Sequence, residues 1–211
     1  MSNITVLGGN GYTGAAVVAE ALRRGHTVSI VSRSQPQAPL AGVRYVTGSA
    51  LDPEVLDSAL EGADAVVMAV SSRDGGPQIA PELASLLVKR AGPRRLAVVG
   101  GFSSLRPAEG APRFIEAGVP EQYRAEAEAG HGSLEVLQGA PEGVDWVFFS
   151  PAAKFGAWFP VEPSGAYRLG GEVAILDEEG NSYLHAEDLA LAILDIIESG
   201  DHSREHVSVV S

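Results

Sequence analysis

The stretch Asn3-Ile-Thr-Val-Leu-Gly-Gly-Asn-Gly-Tyr-Thr-Gly-Ala-Ala-Val17 decides the fold. Asn3 to Leu7 is a short β-branched run that reads as a strand, and Ala16, Val17 and Ala19 to Leu22, stopping at Gly25, place an apolar stripe at helical spacing. Between them lie Gly8, Gly9, Asn10, Gly11, Tyr12, Thr13 and Gly14. A glycine pattern alone is weak, but a strand before it and a helix after it turn it into a seat for a dinucleotide pyrophosphate. The spelling fits Gly-x-Gly-x-x-Gly from Gly9 and also the spacing Gly8, Gly11, Gly14. In either register an early glycine permits the tight turn, Gly11 lets backbone approach the phosphates, and Gly14 lets the helix lie close on the sheet. The helix N-terminus adds unpaired amides and a partial positive charge. A glycine-rich turn without a ligand is the competing reading, and the position between strand and helix weighs against it.

Outward from this turn the alternation continues. Strands are expected at Thr27 to Val31, Arg44 to Thr47, Ala65 to Val70 and Arg95 to Gly100, with helices at Pro53 to Leu60, N-capped by Asp52, and at Ile79 to Ala91. Strands separated by helices imply a parallel sheet covered on both faces. After Gly101 the composition turns to Pro, Gly, Ala and Glu. A polar helix is expected at Glu121 to Leu137, then a strand at Asp145 to Phe149. The end of the chain reads as strands Glu172 to Leu176 and Ser182 to His185 around a turn at 178–181, a helix Ala186 to Glu198 and a strand His206 to Val210. The expected fold is therefore α/β, a Rossmann-type doubly wound, mostly parallel sheet with a small C-terminal substrate-side extension. One domain over residues 1–211 is expected, with substrate-side insertions at about 102–143 and 151–185.

Dinucleotide choice is read about 20 residues past the turn, where an acid bonds the ribose 2′-hydroxyl of NAD or an arginine accommodates the 2′-phosphate of NADP. This chain has Ser32-Arg33-Ser34 there. No carboxylate repels a phosphate, and an always-charged planar donor is present. NADP is the expected cofactor, with NAD possible. The competing reading makes Arg33 a solvated surface residue.

Composition narrows the partners. A net charge of -12 opposes polyphosphate backbones and anionic membrane surfaces, so neither nucleic acid nor a membrane is expected as a partner. Cysteine is absent, which excludes disulfides and thiolate metal sites and points to a cytoplasmic protein. The N-terminus lacks the basic start and long apolar stretch of an export signal, and no apolar run is long enough to span a bilayer.

With these residues placed, the chain resembles the atypical short-chain dehydrogenase/reductase group, and within it the NADH-flavin reductases related to NmrA-like and biliverdin reductase B-like proteins. The resemblance rests on Gly8 to Gly14, Val98-Val-Gly-Gly-Phe-Ser-Ser-Leu105, Asp145-Trp-Val-Phe-Phe-Ser-Pro-Ala152, Gly165-Ala-Tyr-Arg-Leu-Gly-Gly171 and His185-Ala-Glu-Asp-Leu-Ala190. It implies that Ala69, Val70, Ser71, Gly100, Gly101 and Phe102 line the cofactor's ribose and nicotinamide, with Ser150, Pro151 and Ala152 near the nicotinamide ring. Two departures stand out. Many relatives carry an Asp after the third strand, where this chain has Gly48-Ser49; the wider group uses Tyr-x-x-x-Lys, and the nearest match is Tyr123-Arg-Ala-Glu-Ala127.

The missing Lys carries chemical weight, because carbonyl reduction makes an alkoxide and calls for a tyrosine acidified by a neighbouring cation. Hydride transfer to a flavin, such as FMN, or to a quinone-like planar acceptor is less demanding, since a conjugated ring spreads the new charge and positioning supplies most of the catalysis. Ser103, Ser104 and Tyr123 are the candidate hydrogen-bonding or catalytic residues. The alternative class is a non-catalytic NADP-binding redox sensor of the NmrA-like type, with Phe102 or residues 155–159 blocking the nicotinamide. An epimerase or dehydratase is weakened by the absent Tyr-Lys pair. The protein is expected as a monomer or homodimer.

Other signals weigh less. The clustering of Trp146, Phe148, Phe149, Phe155, Trp158 and Phe159 invites a stacking platform for a planar substrate; the first three read as strand core, while Phe155, Trp158 and Phe159 read equally as such a platform and as a lid or subunit contact. His202-Ser-Arg-Glu-His206 spells an inverted zinc-protease pattern, but Gly200 has just ended the helix that such a site needs. No metal site is expected. His185 reads as a helix start and Asp188 as structural.

Overall fold

The computed structural model describes residues 1–34, 38–70 and 79–211. Strands β1 (Asn3–Leu7), β2 (Thr27–Ser32), β3 (Val43–Thr47), β4 (Ala65–Met68), β5 (Arg95–Val99), β6 (Trp146–Pro151), β7 (Arg168–Gly170) and β8 (Glu205–Val210) form one sheet. Its order is β3-β2-β1-β4-β5-β6-β8-β7, with β7 alone antiparallel, against β8. The sheet is doubly wound and Rossmann-like, and the strand order reverses beside β1, where such sheets open a crevice at their carboxyl ends.

Alternation within each strand sorts side chains between two cores. Ile4 and Val6 of β1 join Val147 and Phe149 of β6 beneath helices α1 (Tyr12–Arg23) and α6 (Ala186–Ser199). Leu7, Trp146 and Phe148 lie on the opposite face, beneath α2 (Pro53–Leu60), α3 (Ile79–Arg90) and α5 (Glu121–Gln138). Because helices cover both faces, β4 and β6 are buried along their whole length, which is why they read as unbroken apolar runs. Thr5 fits this interior by donating its hydroxyl to the Ala59 carbonyl at 2.7 Å.

The helix signals act as expected at α2, where Pro53 takes the first turn and the Asp52 carboxylate accepts from Glu54 N at 2.9 Å. A short helix, α4 (Phe114–Ala117), precedes α5. Its approach is closed by a capping pair in which Glu116 accepts from Arg113 N at 2.8 Å.

Several expectations require correction. β4 stops at Met68 and β5 at Val99; the next amides, Ala69 N and Gly100 N, still donate to Leu7 O and Phe149 O, each at 2.9 Å, and regular pairing goes no further. The strands expected at Glu172 to Leu176 and Ser182 to His185 are reduced to isolated bridges, Arg106 with Val173 and Lys154 with Tyr183. The sheet edge is taken instead by β7, whose three residues pair with Ser208 to Val210. Gly170 lies close against its neighbours there: a Cβ would stand 2.7 Å from Ser208 Oγ and 3.1 Å from Ile175, so those side chains would have to shift.

Candidate functional site

The glycine turn lies between the carboxyl ends of β1 and β4 and the start of α1. Gly11 N donates to the Gly8 carbonyl at 2.9 Å and closes the turn. Three of the glycines answer to the protein's own contacts. A Cβ on Gly8, at φ +86°, would stand 2.6 Å from the Ala69 carbonyl oxygen; one on Gly9 would meet Ile30 at 2.8 Å; one on Gly14 would meet the Gly8 carbonyl oxygen at 2.2 Å. Gly11 is different. It has extended backbone, and among the described residues a Cβ on it would approach only the Gly8 carbonyl oxygen, at 3.3 Å. It is also the N-cap of α1 and offers no side-chain acceptor to the first amides. An uncapped helix start behind a residue left bare on its outer side fits a pyrophosphate, which supplies the acceptors that a Ser or Asp cap would otherwise provide.

Asn10 is exposed and Thr13 half-buried in the same turn. Tyr12 points across to the substrate side: its ring packs on Phe155 at 5.5 Å and edge-on to His185 at 5.9 Å, and its hydroxyl accepts from Ala186 N at 3.4 Å. The glycine turn is thereby tied to the start of α6. His185 caps that start by accepting from Glu187 N at 3.3 Å, as its sequence position suggested. Asp188, fully buried, accepts from Ser164 N, Ser164 Oγ, Gly165 N and Ser211 Oγ, which makes it a structural anchor for the loop at Ser164 and Gly165 and for the end of the chain at Ser211.

At the tip of β2, Ser32 Oγ donates to the Ser34 carbonyl at 2.7 Å, and Ser32 O accepts from Gly48 N at 2.9 Å. Arg33 is exposed beside them. At the end of β4, Ala69 and Val70 are half-buried, while Ser71 lies outside the described residues.

The end of β5 is the tightest part of the site. A Cβ on Gly100 would collide with the Phe148 ring at 1.9 Å, and one on Gly130 of α5 would stand 3.6 Å from Gly101 N. Strand, aromatic core and helix therefore converge on Gly100 and Gly101. Phe102 to Ser104 follow as a single 3-10 turn, and the Phe102 ring stacks on Phe114 at 4.8 Å. Ser103 is half-buried. Ser104 is fully buried with its hydroxyl unpartnered, so of the two candidate serines only Ser103 keeps solvent access. Ser150, Pro151 and Ala152 are all buried at the end of β6.

Tyr123 does not join this group. It is 52% exposed in the first turn of α5, and Ala127, four residues on, faces the core. The structure does assemble a Tyr–Lys pair elsewhere, from residues no sequence motif links: Lys154 Nζ donates to the Tyr183 hydroxyl at 2.9 Å and lies 4.5 Å from the ring centre. Sequence reasoning also missed Arg113 and His206. Arg113, nearly buried, donates to the Ser104 carbonyl and to Glu172, each at 2.5 Å. Partial burial works to raise the Glu172 carboxyl, but Arg113 and Arg106 outweigh it and hold the group below its usual range. His206 sits on β8 with its Nε2 2.8 Å from Ser150 Oγ, and burial, reinforced by Arg113, pushes the imidazole down to about 4. His202 pairs instead with Glu205 at 2.8 Å, so the two histidines share no helical face. Of the clustered aromatics, Trp146, Phe148 and Phe149 are core, Phe155 packs on Tyr12, and Trp158 is 54% exposed.

Fold and turn together define a dinucleotide-binding protein of the doubly wound α/β class. The chain belongs to the NAD(P)H-binding family, which it matches over residues 8–200. It is 31% identical to "Uncharacterized protein YwnB" of Bacillus subtilis (strain 168), over 99% of this chain and 98% of that one. Among solved structures it is similar to a "putative NADH-flavin reductase" from Streptococcus pneumoniae TIGR4, with TM-score 0.88 and 28% identity over the whole of both chains. It is also similar to a "putative epimerase" from Bacteroides thetaiotaomicron, with TM-score 0.85 and 31% identity over 99% of this chain and 96% of that one. Among the described residues no helix is long and apolar enough to cross a membrane.

Proposed function

We propose that this protein is an NADPH-dependent oxidoreductase that passes hydride to a planar conjugated acceptor, a flavin such as FMN or a quinone. The observation that carries the reading is the pairing of a built dinucleotide seat with a nicotinamide end that lacks the Tyr-x-x-x-Lys acid: Tyr123 is exposed and Ala127 faces the core. The amides at Gly11 to Thr13 would hold the pyrophosphate, Arg33 the 2′-phosphate, and the ends of β4, β5 and β6 the ribose and nicotinamide. The bound nicotinamide supplies the hydride. The chain's own contribution is then placement. Gly100 and Gly101 let a ring lie against the backbone, and Ser103 offers a hydroxyl to the acceptor. The Phe102 ring is held in a stack on Phe114. The reductase name of the Streptococcus pneumoniae structure is in keeping with this reading.

The test is to mix the pure protein with NADPH and, separately, with FMN, riboflavin and quinones, and to follow nicotinamide absorbance. Turnover on one of these is expected. NADPH binding without turnover on any of them would overturn the reductase and support the redox sensor.

The Lys154–Tyr183 pair favours one second reading, reduction of a carbonyl with Tyr183 as proton donor, because an ammonium beside a phenol stabilises the phenolate left behind. Carbonyl turnover abolished by Tyr183→Phe, with flavin and quinone inert, would establish it instead.

A further inference from the structure

Ser150 and His206 lie on neighbouring strands, and a serine hydroxyl 2.8 Å from an imidazole resembles a nucleophile beside its base. The surrounding donors say otherwise. Arg113 Nη1 lies 3.4 Å from His206 Nδ1 while also donating to the Ser104 carbonyl, and its Nη2 donates to Glu172. A guanidinium has donors only, so Nδ1 is the acceptor and the ring proton sits on Nε2. Nε2–H then donates to Ser150 Oγ. The single serine proton is left for the Gly101 carbonyl, 2.9 Å away. The chain of hydrogen bonds has one direction, from Arg113 through His206 and Ser150 to Gly101, and the serine proton points away from the imidazole.

Arg113 therefore grips the 3-10 turn at both ends, at the Ser104 carbonyl directly and at the Gly101 carbonyl through two intermediaries. Gly101 O accepts from Ser104 N as well, at 3.2 Å, so both its lone pairs are used. We propose that Arg113 and His206 are positioning residues that fix the Gly101 to Ser104 turn, and with it the Ser103 hydroxyl, for the planar acceptor. This rests on the hydride-transfer reading above. The charged or titratable groups around His206 are Arg113, Glu172, Arg106 and, from α5, His131, and the Phe148 ring meets it edge-on at 5.1 Å. Protonation would put a second N–H against the Arg113 donor and break the link between Arg113 and His206, so the turn is clamped most firmly while His206 is neutral.

The test begins with ¹⁵N NMR of the imidazole at neutral pH, which is expected to show the neutral Nε2–H tautomer. The Ser104 amide shift is expected to follow His206 titration on acidification. His206→Phe keeps a ring but no donor, and amide exchange at Gly101 to Ser104 should quicken about tenfold, the loss of one hydrogen bond. His206→Gln, which can still donate to Ser150, should restore slow exchange and remove the titration. In turnover, His206→Phe should lower kcat about tenfold with the KM for NADPH little changed, and Gln should recover most of it. An Nδ1–H or charged ring at neutral pH, or exchange unaltered by His206→Phe, overturns the proposal. Should His206→Phe not fold, Ser150→Ala removes one hydroxyl from the same relay and must loosen the turn equally. The tautomer and exchange readouts need no acceptor, so they judge the clamp even if wild-type turnover on flavins and quinones fails.

Discussion

The carbonyl oxygen of Gly8 occupies the space that a side chain on Gly14 would need: a Cβ there would stand 2.2 Å from it. One glycine is thus demanded by the turn it helps to make, whereas a Cβ on Gly11 would meet, among the described residues, the Gly8 carbonyl oxygen at a milder 3.3 Å. Gly14→Ala should lower the melting temperature and abolish NADPH binding together. Gly11→Val should keep most of its thermal stability and lose NADPH binding by at least about tenfold, measured by calorimetric titration.

Arg33 stands between Ser32 and Ser34 in the sequence and is exposed at the tip of β2. A charge-assisted hydrogen bond to a 2′-phosphate is worth about 1.5–3 kcal/mol. Arg33→Ala is expected to weaken NADPH by roughly tenfold to a hundredfold and to leave NADH within about twofold. Equal losses for both nucleotides would show that Arg33 does not read the phosphate.

Asp188 accepts four hydrogen bonds from residues 164, 165 and 211 in a fully buried setting. Asp188→Ala orphans these donors, and a loss of about 3 kcal/mol is expected in urea denaturation. Asp188→Asn, which retains one acceptor oxygen, should cost less.

Two pH windows follow from His206 and Glu20. The folded His206 lies near 4, below its ordinary 6.5, so the unfolded chain binds more protons between those values. Its contribution to stability is complete above about 6.5 and is lost as pH falls to about 4. Glu20 is held down to about 2 by its hydrogen bond to Arg23, with burial opposing and Arg24 assisting. Its contribution is present above about 4.5 and is lost as pH falls toward 2. Urea midpoints measured against pH should show the first step vanish in His206→Gln and the second in Glu20→Gln.

The first half of the fold was legible because its signals are local. β1 and α2 fall on their expected bounds, since a strand running into a glycine turn and Asp52-Pro53 opening a helix are both written in adjacent residues. The last third was not. Residues 172–176 and 182–185 have strand-like composition but find only single bridging partners, and the edge position went to three residues whose place depends on fitting Gly170 against Ser208. The site divides in the same way. The glycine turn and Arg33 could be read in line, whereas Ser150 with His206, 56 residues apart, and Lys154 with Tyr183, 29 apart, meet only through the sheet and a bridge. Arg113 stands in a stretch that reads as loop, and no local pattern announces an arginine holding two carbonyls.

The glycines of α5 have a consequence for how the molecule is made. Gly130 brings the helix within contact of Gly101, and Gly132 does the same against Pro81 of α3. Each glycine within a helix costs about 1 kcal/mol of helical propensity relative to alanine. The exposed first turns of α5 bury nothing that offsets this. Helicity over residues 121–138 therefore leans on the docking of its buried second half, Ala129 to Leu137, and the exposed amides of residues 121–126 are expected to exchange before those behind Gly101.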